Sequence, residues 1–162
     1  MNIKRALFLL FFFSFVLMMN RYLNAYTDEI QVSSDEVWKA AEEVFKPIGI
    51  HKFNPKKRII ESDWIQDHVK RSSRLFPVGP QTTVKRTYDR RYRVHVQINE
   101  DSPLQAQVVV KGRFQLSSPE PYAMPRWHSV IKPTIEDYDI ERDFFFKILR
   151  KIEDNRRAVP ST

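Results

Sequence analysis

The sequence predicts an α+β domain: an antiparallel four-stranded meander sheet with two helices on one face, in the order (β)-α-β-β-β-β-α. Three observations carry that expectation. A capped apolar stripe of helical period lies between Ser33 and Pro47, and a second runs from Ile135 to about Arg156. Between them, residues 83–98 and 104–116 alternate apolar and polar side chains, and a short polar stretch joins the two runs. An antiparallel sheet with helices on one face buries a single core and leaves the other face in water.

The chain opens with a leader, residues 1–25. Lys4 and Arg5 precede an apolar run, Ala6 to Met19, interrupted only by Ser14. A membrane span needs about 20 apolar residues, so this run is short for one. A basic start, a short apolar stretch and small residues after it describe a secretory signal. Cleavage after Ala25 would place Leu23 and Ala25 at the two positions that signal peptidase inspects. An uncleaved signal anchor is the alternative, which Arg21, soon after the apolar run, favours. Either way the domain, residues 26–157, is expected in the periplasm or otherwise exported, or anchored to the inner membrane by residues 6–19. Residues 158–162 read as a tail.

Residues 28–32 suit a short leading strand. Ser33 and Glu36 then read as a capping box, in which each side chain satisfies a backbone N–H of the first helical turn. Val37, Ala40, Ala41, Val44 and Phe45 make one helix face, which Pro47 and Gly49 end. Ile48–Phe53 and Ile59–Ile65 read as strands around the polar turn Asn54-Pro55-Lys56-Lys57. Residues 66–81 have no period and contain Pro77, Gly79 and Pro80, so a loop or wide crossover is expected.

In the next strand Tyr92, Val94, Val96 and Ile98 face the core, and Arg91, Arg93, His95 and Gln97 face solvent. Residues 99–103 are the expected turn. Leu104, Ala106, Val108, Val110, Phe114 and Leu116 then face in, and Gln105, Gln107, Lys111, Arg113 and Gln115 face out. Residues 117–134 hold four prolines and read as an irregular segment. Ile140, Phe144, Phe145, Ile148, Leu149 and Ile152 form the apolar stripe of the last helix.

Composition excludes several chemistries. The chain has no cysteine, which removes disulfides, thiol catalysis, Cys-ligated metals and a lipid-modified cysteine after the leader. Three glycines in 162 residues leave no glycine-rich phosphate loop. The net charge is +7, and +4 once Lys4, Arg5 and Arg21 depart with the leader. That mild excess serves solubility and also suits acidic partners.

Val32-Ser33, Val37-Trp38-Lys39-Ala40-Ala41, Ile48-Gly49-Ile50 and Arg58-Ile59-Ile60-Glu61-Ser62-Asp63-Trp64 follow one another in an order that resembles a family of envelope domains. It is the repeated domain of the lipoprotein C subunit of the bacterial outer-membrane β-barrel assembly machinery. The likeness covers roughly residues 28–116 and 135–155, and implies the same helix-and-hairpin fold and an assembly-accessory role without catalytic residues. This chain has one such domain and lacks the lipid-anchoring cysteine.

His51, His68, His95 and His128 have no metal-ligand spacing. Ser72, Ser73, Ser129, Asp63 and Asp67 are polar parts that a cryptic hydrolase could use, but no nucleophile-elbow motif surrounds them. Trp64 and Trp127 read as packing groups at the core or its rim. No cofactor, no metal and no catalytic residue are expected.

The basic outer face is the candidate site: Arg91, Arg93, Lys111 and Arg113. A turn centred near Asp101 predicts residue 97 opposite 105, 95 opposite 107, 91 opposite 111 and 89 opposite 113, or a register slipped from that by two. Arg91 would then face Lys111, a costly like-charge pair. Asp89 would neutralise Arg113, and Glu61 and Asp63 would pair with Arg91 and Arg93. Two readings stay open: a solvated, internally paired sheet face, or a face that binds anionic lipid, glycan or an acidic envelope protein. Nucleic acid is not an expected partner, because export separates it from the chain and no aromatic side chains interleave on this face. The expected function is a non-catalytic exported binding or assembly-accessory module, with peripheral or N-terminally anchored membrane association.

Overall fold

The computed structural model describes residues 25–74, 83–117, 126–130 and 133–158. The leader up to residue 24, the residues 75–82, most of the proline-rich segment and the last four residues lie outside the described residues. In chain order the elements are β1 (Tyr26–Ile30), α1 (Ser34–Phe45), β2 (Ile50–Asn54), β3 (Ile59–Ser62), β4 (Ile65–Arg74), β5 (Thr83–Ser102), β6 (Gln105–Ser117), β7 (Trp127–Ser129) and α2 (Ile135–Ala158). Among the described residues no helix is long and apolar enough to cross a membrane.

The class is α+β, with an antiparallel sheet and, among the described residues, two helices and seven strands in the sheet rather than four. Its order is β1-β6-β5-β3-β2, with β4 also on β5 and β7 also on β6. A plain meander is therefore a correction to make: β1 joins the far side of β6, with Tyr26 opposite Val110 and Ile30 opposite Ala106. The chain then passes along α1, which packs on β3, β5 and β6, to reach β2 at the other edge.

Ser33 caps α1 by accepting a hydrogen bond from the Glu36 backbone N–H at 3.4 Å. The reciprocal half of the capping box does not form. The Glu36 carboxylate instead accepts from Arg156 of α2 at 2.6 and 3.2 Å, tying the start of one helix to the end of the other. Gly49 ends this region at φ +94°, a conformation that glycine adopts without strain.

Residues 66–74, expected as loop, continue the sheet. β3 and β4 are one strand with a step. Glu61 lies opposite His95 and Ile65 opposite Tyr92, so four steps on one side match three on the other. That extra residue is a bulge, which bends a strand and re-aims its side chains. The buried Ser62 heals the break: its hydroxyl accepts from the Val94 N–H at 3.0 Å and donates to the Asp63 carbonyl at 2.8 Å.

β5 runs on to Ser102, through the stretch expected to turn, and the reversal falls at Pro103 and Leu104. The ladder is therefore displaced by four from the expected one: Arg91 pairs with Gln115, Arg93 with Arg113, His95 with Lys111 and Gln97 with Val109. Leu104, expected to face in, is 74% exposed at the tip. A slip of an even number leaves every other residue on its expected face. Val94, Val96, Ile98, Ala106, Val108 and Val110 accordingly line the core, against Val37, Ala40, Ala41 and Phe45 of α1 and Phe144, Phe145, Ile148 and Ile152 of α2. The Phe45 and Phe144 rings meet at 5.5 Å. Each Val, Ile or Phe of this set contributes about 1.5–3 kcal/mol when fully buried.

Candidate functional site

The outer face of β5 and β6 carries Arg91, Arg93 and His95 beside Gln115, Arg113 and Lys111. The four cations predicted from the sequence share this face, but in two different settings. The Arg91 guanidinium lies between two indoles, 4.6 Å from the Trp64 ring and 4.4 Å from the Trp127 ring. Its Nε donates to Gln115 Oε1 at 2.7 Å. Desolvated stacking of this kind is worth up to about 2 kcal/mol. The β3–β4 bulge supplies Trp64. Strand β7 supplies Trp127, which pairs with Ser117 at the end of β6. Both tryptophans are half-buried on the outer face, stacked on its arginines rather than packed into the core, so the expectation that no aromatic side chains interleave on this face is corrected.

Arg93 shares the Trp64 ring, at 4.6 Å, and reaches Glu61 at 3.7 Å. Its side chain is 15% exposed, and its Nε is buried with no hydrogen-bond partner among the described residues. Directly across the ladder stands Arg113. Among the described residues neither Arg113 nor Lys111 forms an ion pair, and both are exposed. The expected pairing of Asp89 with Arg113 is corrected: Asp89 meets His68 at 2.8 Å. Asp63 stands 4.0 Å from His51 rather than beside the arginines. Glu61 does pair with Arg93, and it also comes within 3.9 Å of His95.

These groups border a depression of about 450 Å³, lined by Glu61, Arg93, His95, Lys111 and Arg113, and by Glu141 of α2. It exists because β6 loses its neighbour there. β1 ends its pairing at Val110, β7 begins at Gln115 and the Val130 N–H just beyond it donates to the Phe114 carbonyl at 3.0 Å, so no strand covers residues 111–113 on that side among the described residues. The Gly112 N–H donates to Glu141 Oε1 at 2.7 Å in place of a ladder bond. Gly112 has to be glycine: a Cβ there would stand 2.3 Å from the Phe114 ring.

Electrostatics divide the lining. Burial is the main cause that lowers the pKa of His95 from its ordinary 6.5; Lys52 and Lys111 add to this and Glu61 opposes it. Its imidazole is therefore neutral at neutral pH. Burial raises the pKa of Glu141, against the pull of the Gly112 and Tyr26 backbone N–H groups.

The polar groups considered for a hydrolase are not assembled. Ser129 lines the depression but makes no hydrogen bond to His95, and Asp67 is bonded to Arg90. Ser72 and Ser73 lie in β4, and their side chains are outside the described residues. Among the described residues no group of three or more His, Asp or Glu side chains is placed to hold a metal ion.

Sequence reasoning missed the buried ionic cluster at the other end of the sheet. Asp137, fully buried in the first turn of α2, accepts from Arg90 at 2.9 Å, from Arg71 at 3.0 Å and from the Thr134 N–H and hydroxyl. The signal was present: Arg90 has the parity of Tyr92 and Val94, so the alternation already pointed it at the core.

An α+β protein with a basic outer sheet face is thus the class that fold and site define. No family model matches the chain, and no curated protein matches it. Similar solved structures include a DUF4468 family protein from Bacteroides ovatus, with 13% identity over 85% of this chain and 88% of that one, at a TM-score of 0.42. A TBP-like protein from Parabacteroides distasonis has 11% identity over 84% of this chain and 94% of that one, at a TM-score of 0.37.

Proposed function

We propose that this chain is a non-catalytic binding module of the cell envelope that takes an anionic, phosphate-bearing partner on its outer sheet face. One observation carries the reading: Arg93 faces Arg113 across the ladder, beside Lys111, around an open depression where, among the described residues, Glu61 is the one carboxylate that pairs with any of them. Like charges directly opposite cost stability in the free protein, and a bound anion would offset that cost. Arg93 adds a buried donor without an acceptor. Arg91, clamped by two indoles, stands on the same sheet face two residues from Arg93, with which it shares the Trp64 ring.

The signal-like leader and the resemblance to the assembly-machinery domain support placement in the envelope, as an accessory to a larger assembly or membrane surface. A lipid headgroup and an envelope glycan present the same phosphate chemistry. The test therefore has two arms: flotation with vesicles of phosphatidylglycerol or of neutral lipid, and fluorescence anisotropy with a phosphorylated oligosaccharide. Wild type is compared with the triple variant Arg93→Gln, Lys111→Gln, Arg113→Gln. Binding is expected for wild type in at least one arm and lost in the variant. It should weaken with salt, because the Debye length falls from about 10 Å at 0.1 M to about 3 Å at 1 M. Equal behaviour of the two proteins in both arms would overturn the reading.

A further inference from the structure

The start of β1 ends on a buried carboxylate. The Tyr26 backbone nitrogen donates to Glu141 Oε2 at 3.1 Å, while Oε1 of the same side chain takes the Gly112 N–H at 2.7 Å. Glu141 is 3% exposed, and among the described residues no cation forms an ion pair with it. A buried carboxylate held by two neutral donors and no counter-charge is an expensive arrangement, since burying an unpaired charge costs several kcal/mol or shifts the group toward its neutral form. Tyr26 is also the residue that follows the cleavage position read from the leader, after Ala25.

We infer that Glu141 is the receptor for a new amino terminus: once the leader is removed, the α-ammonium of Tyr26 forms a buried ion pair with the Glu141 carboxylate and locks β1 onto the sheet. The covalent step is hydrolysis of the Ala25–Tyr26 amide by signal peptidase. Water supplies a hydroxyl to the Ala25 carbonyl carbon, the C–N bond breaks, and the freed amine, protonated at neutral pH, stays on Tyr26. The single N–H of the uncleaved chain becomes a cation with three donors at the same position. Charge then matches charge where only backbone dipoles stood before.

Burial, the first cause of the raised Glu141 pKa, acts on a carboxylate between Lys111, which lowers it, and Asp137, which raises it. The Tyr26 nitrogen is the group already in contact with the Glu141 carboxylate, at 3.1 Å. Processing would thereby be coupled to stability: the exported, mature chain is the better-folded form, and the chain that keeps its leader is the weaker one. The inference rests on export and cleavage of the leader and is independent of the outer basic face.

The full chain is expressed in a secreting bacterial host, and the protein recovered outside the cytoplasm is sequenced from its amino terminus. It should begin at Tyr26. Its α-amine is then titrated by NMR after 13C reductive methylation. Its pKa should lie about one unit or more above the ordinary range of about 7.7–8.0, and should return to that range in Glu141→Gln. Acetylating the α-amine should lower Tm in wild type and leave Glu141→Gln unchanged. The amine titration and the acetylation arm keep the test decisive if the variant folds poorly. A product that begins elsewhere or retains the leader would overturn the inference. So would a Tyr26 amine with an ordinary pKa, or acetylation without effect on Tm.

Discussion

Asp137 and Arg90 meet at 2.9 Å with both side chains buried, one at the start of α2 and the other near the middle of β5. Arg71 and Asp67 extend the pair into a four-residue cluster that fastens the β4–β5 ribbon to the helix. Breaking a buried pair by removing one partner costs about 3–5 kcal/mol, because the other charge is left uncompensated. Asp137→Ala leaves Arg71 without its carboxylate and Arg90 with Asp67 as its remaining one, so denaturant unfolding should show a loss of that size. Arg90→Met, which removes a cation and leaves Asp137 paired with Arg71, should cost less.

Arg93 and Arg113 test the opposite sign. Relieving a like-charge pair directly across a ladder is worth about 0.2–1 kcal/mol. Arg113→Gln should therefore match or exceed wild type in stability, with the gain shrinking as salt rises. Arg113→Glu should gain more, by placing a carboxylate against Arg93. A clear loss in either variant would mean that Arg113 already has a compensating partner.

Gly112 and Gly49 are fixed for different reasons, and alanine separates them. Gly112→Ala drives a methyl into the buried Phe114 ring, 2.3 Å away. Overpacking of this kind costs about 1–3 kcal/mol, and it should also disturb the Glu141 contact on the same residue. Gly49→Ala forces a side chain to φ +94°, 2.8 Å from Asp63 Oδ2. Its cost should fall partly when Asp63→Ala removes the clash, while the backbone strain remains. Thermal melts of the single and double variants measure both.

His95 sets a pH dependence whose sign follows from its lowered pKa. Below the ordinary 6.5 the unfolded chain takes up a proton at this residue before the folded chain does. The unfolded state then binds more protons, and stability falls as pH drops from that value toward the lower folded pKa. Above 6.5 the residue should contribute no slope. His95→Gln should flatten this part of a Tm-against-pH curve. Glu61→Gln should steepen it, because Glu61 opposes the lowering by burial.

Much of the fold was legible in one dimension because its causes are local. The Ser33 cap, the helical stripes and the period-two runs from Tyr92 and Ala106 each depend on residues within a few positions. They assigned nearly every core side chain to its correct face. Parity, however, does not choose a register. A ladder displaced by four keeps the same residues inside, so nothing in the alternation distinguished Arg91 opposite Lys111 from Arg93 opposite Arg113. That choice fell to the turn at Pro103 and Leu104, which lets β5 run on to Ser102.

By itself, then, the sequence determined the class of fold, the two faces of the long hairpin and the basic character of the outer one. The tertiary structure alone decided what lies far apart in the chain and close in space. It put β1 on the far side of β6, where hydrogen bonding to the Val108–Val110 stretch satisfies an edge that a meander would leave open. It set Arg91 between Trp64 and Trp127, residues 63 positions apart, through the bulge and strand β7. It also brought Glu141 to the nitrogen of Tyr26 across 115 positions. Such contacts form where buried polar groups must find partners from other elements, and local pattern carries no record of which element will supply them.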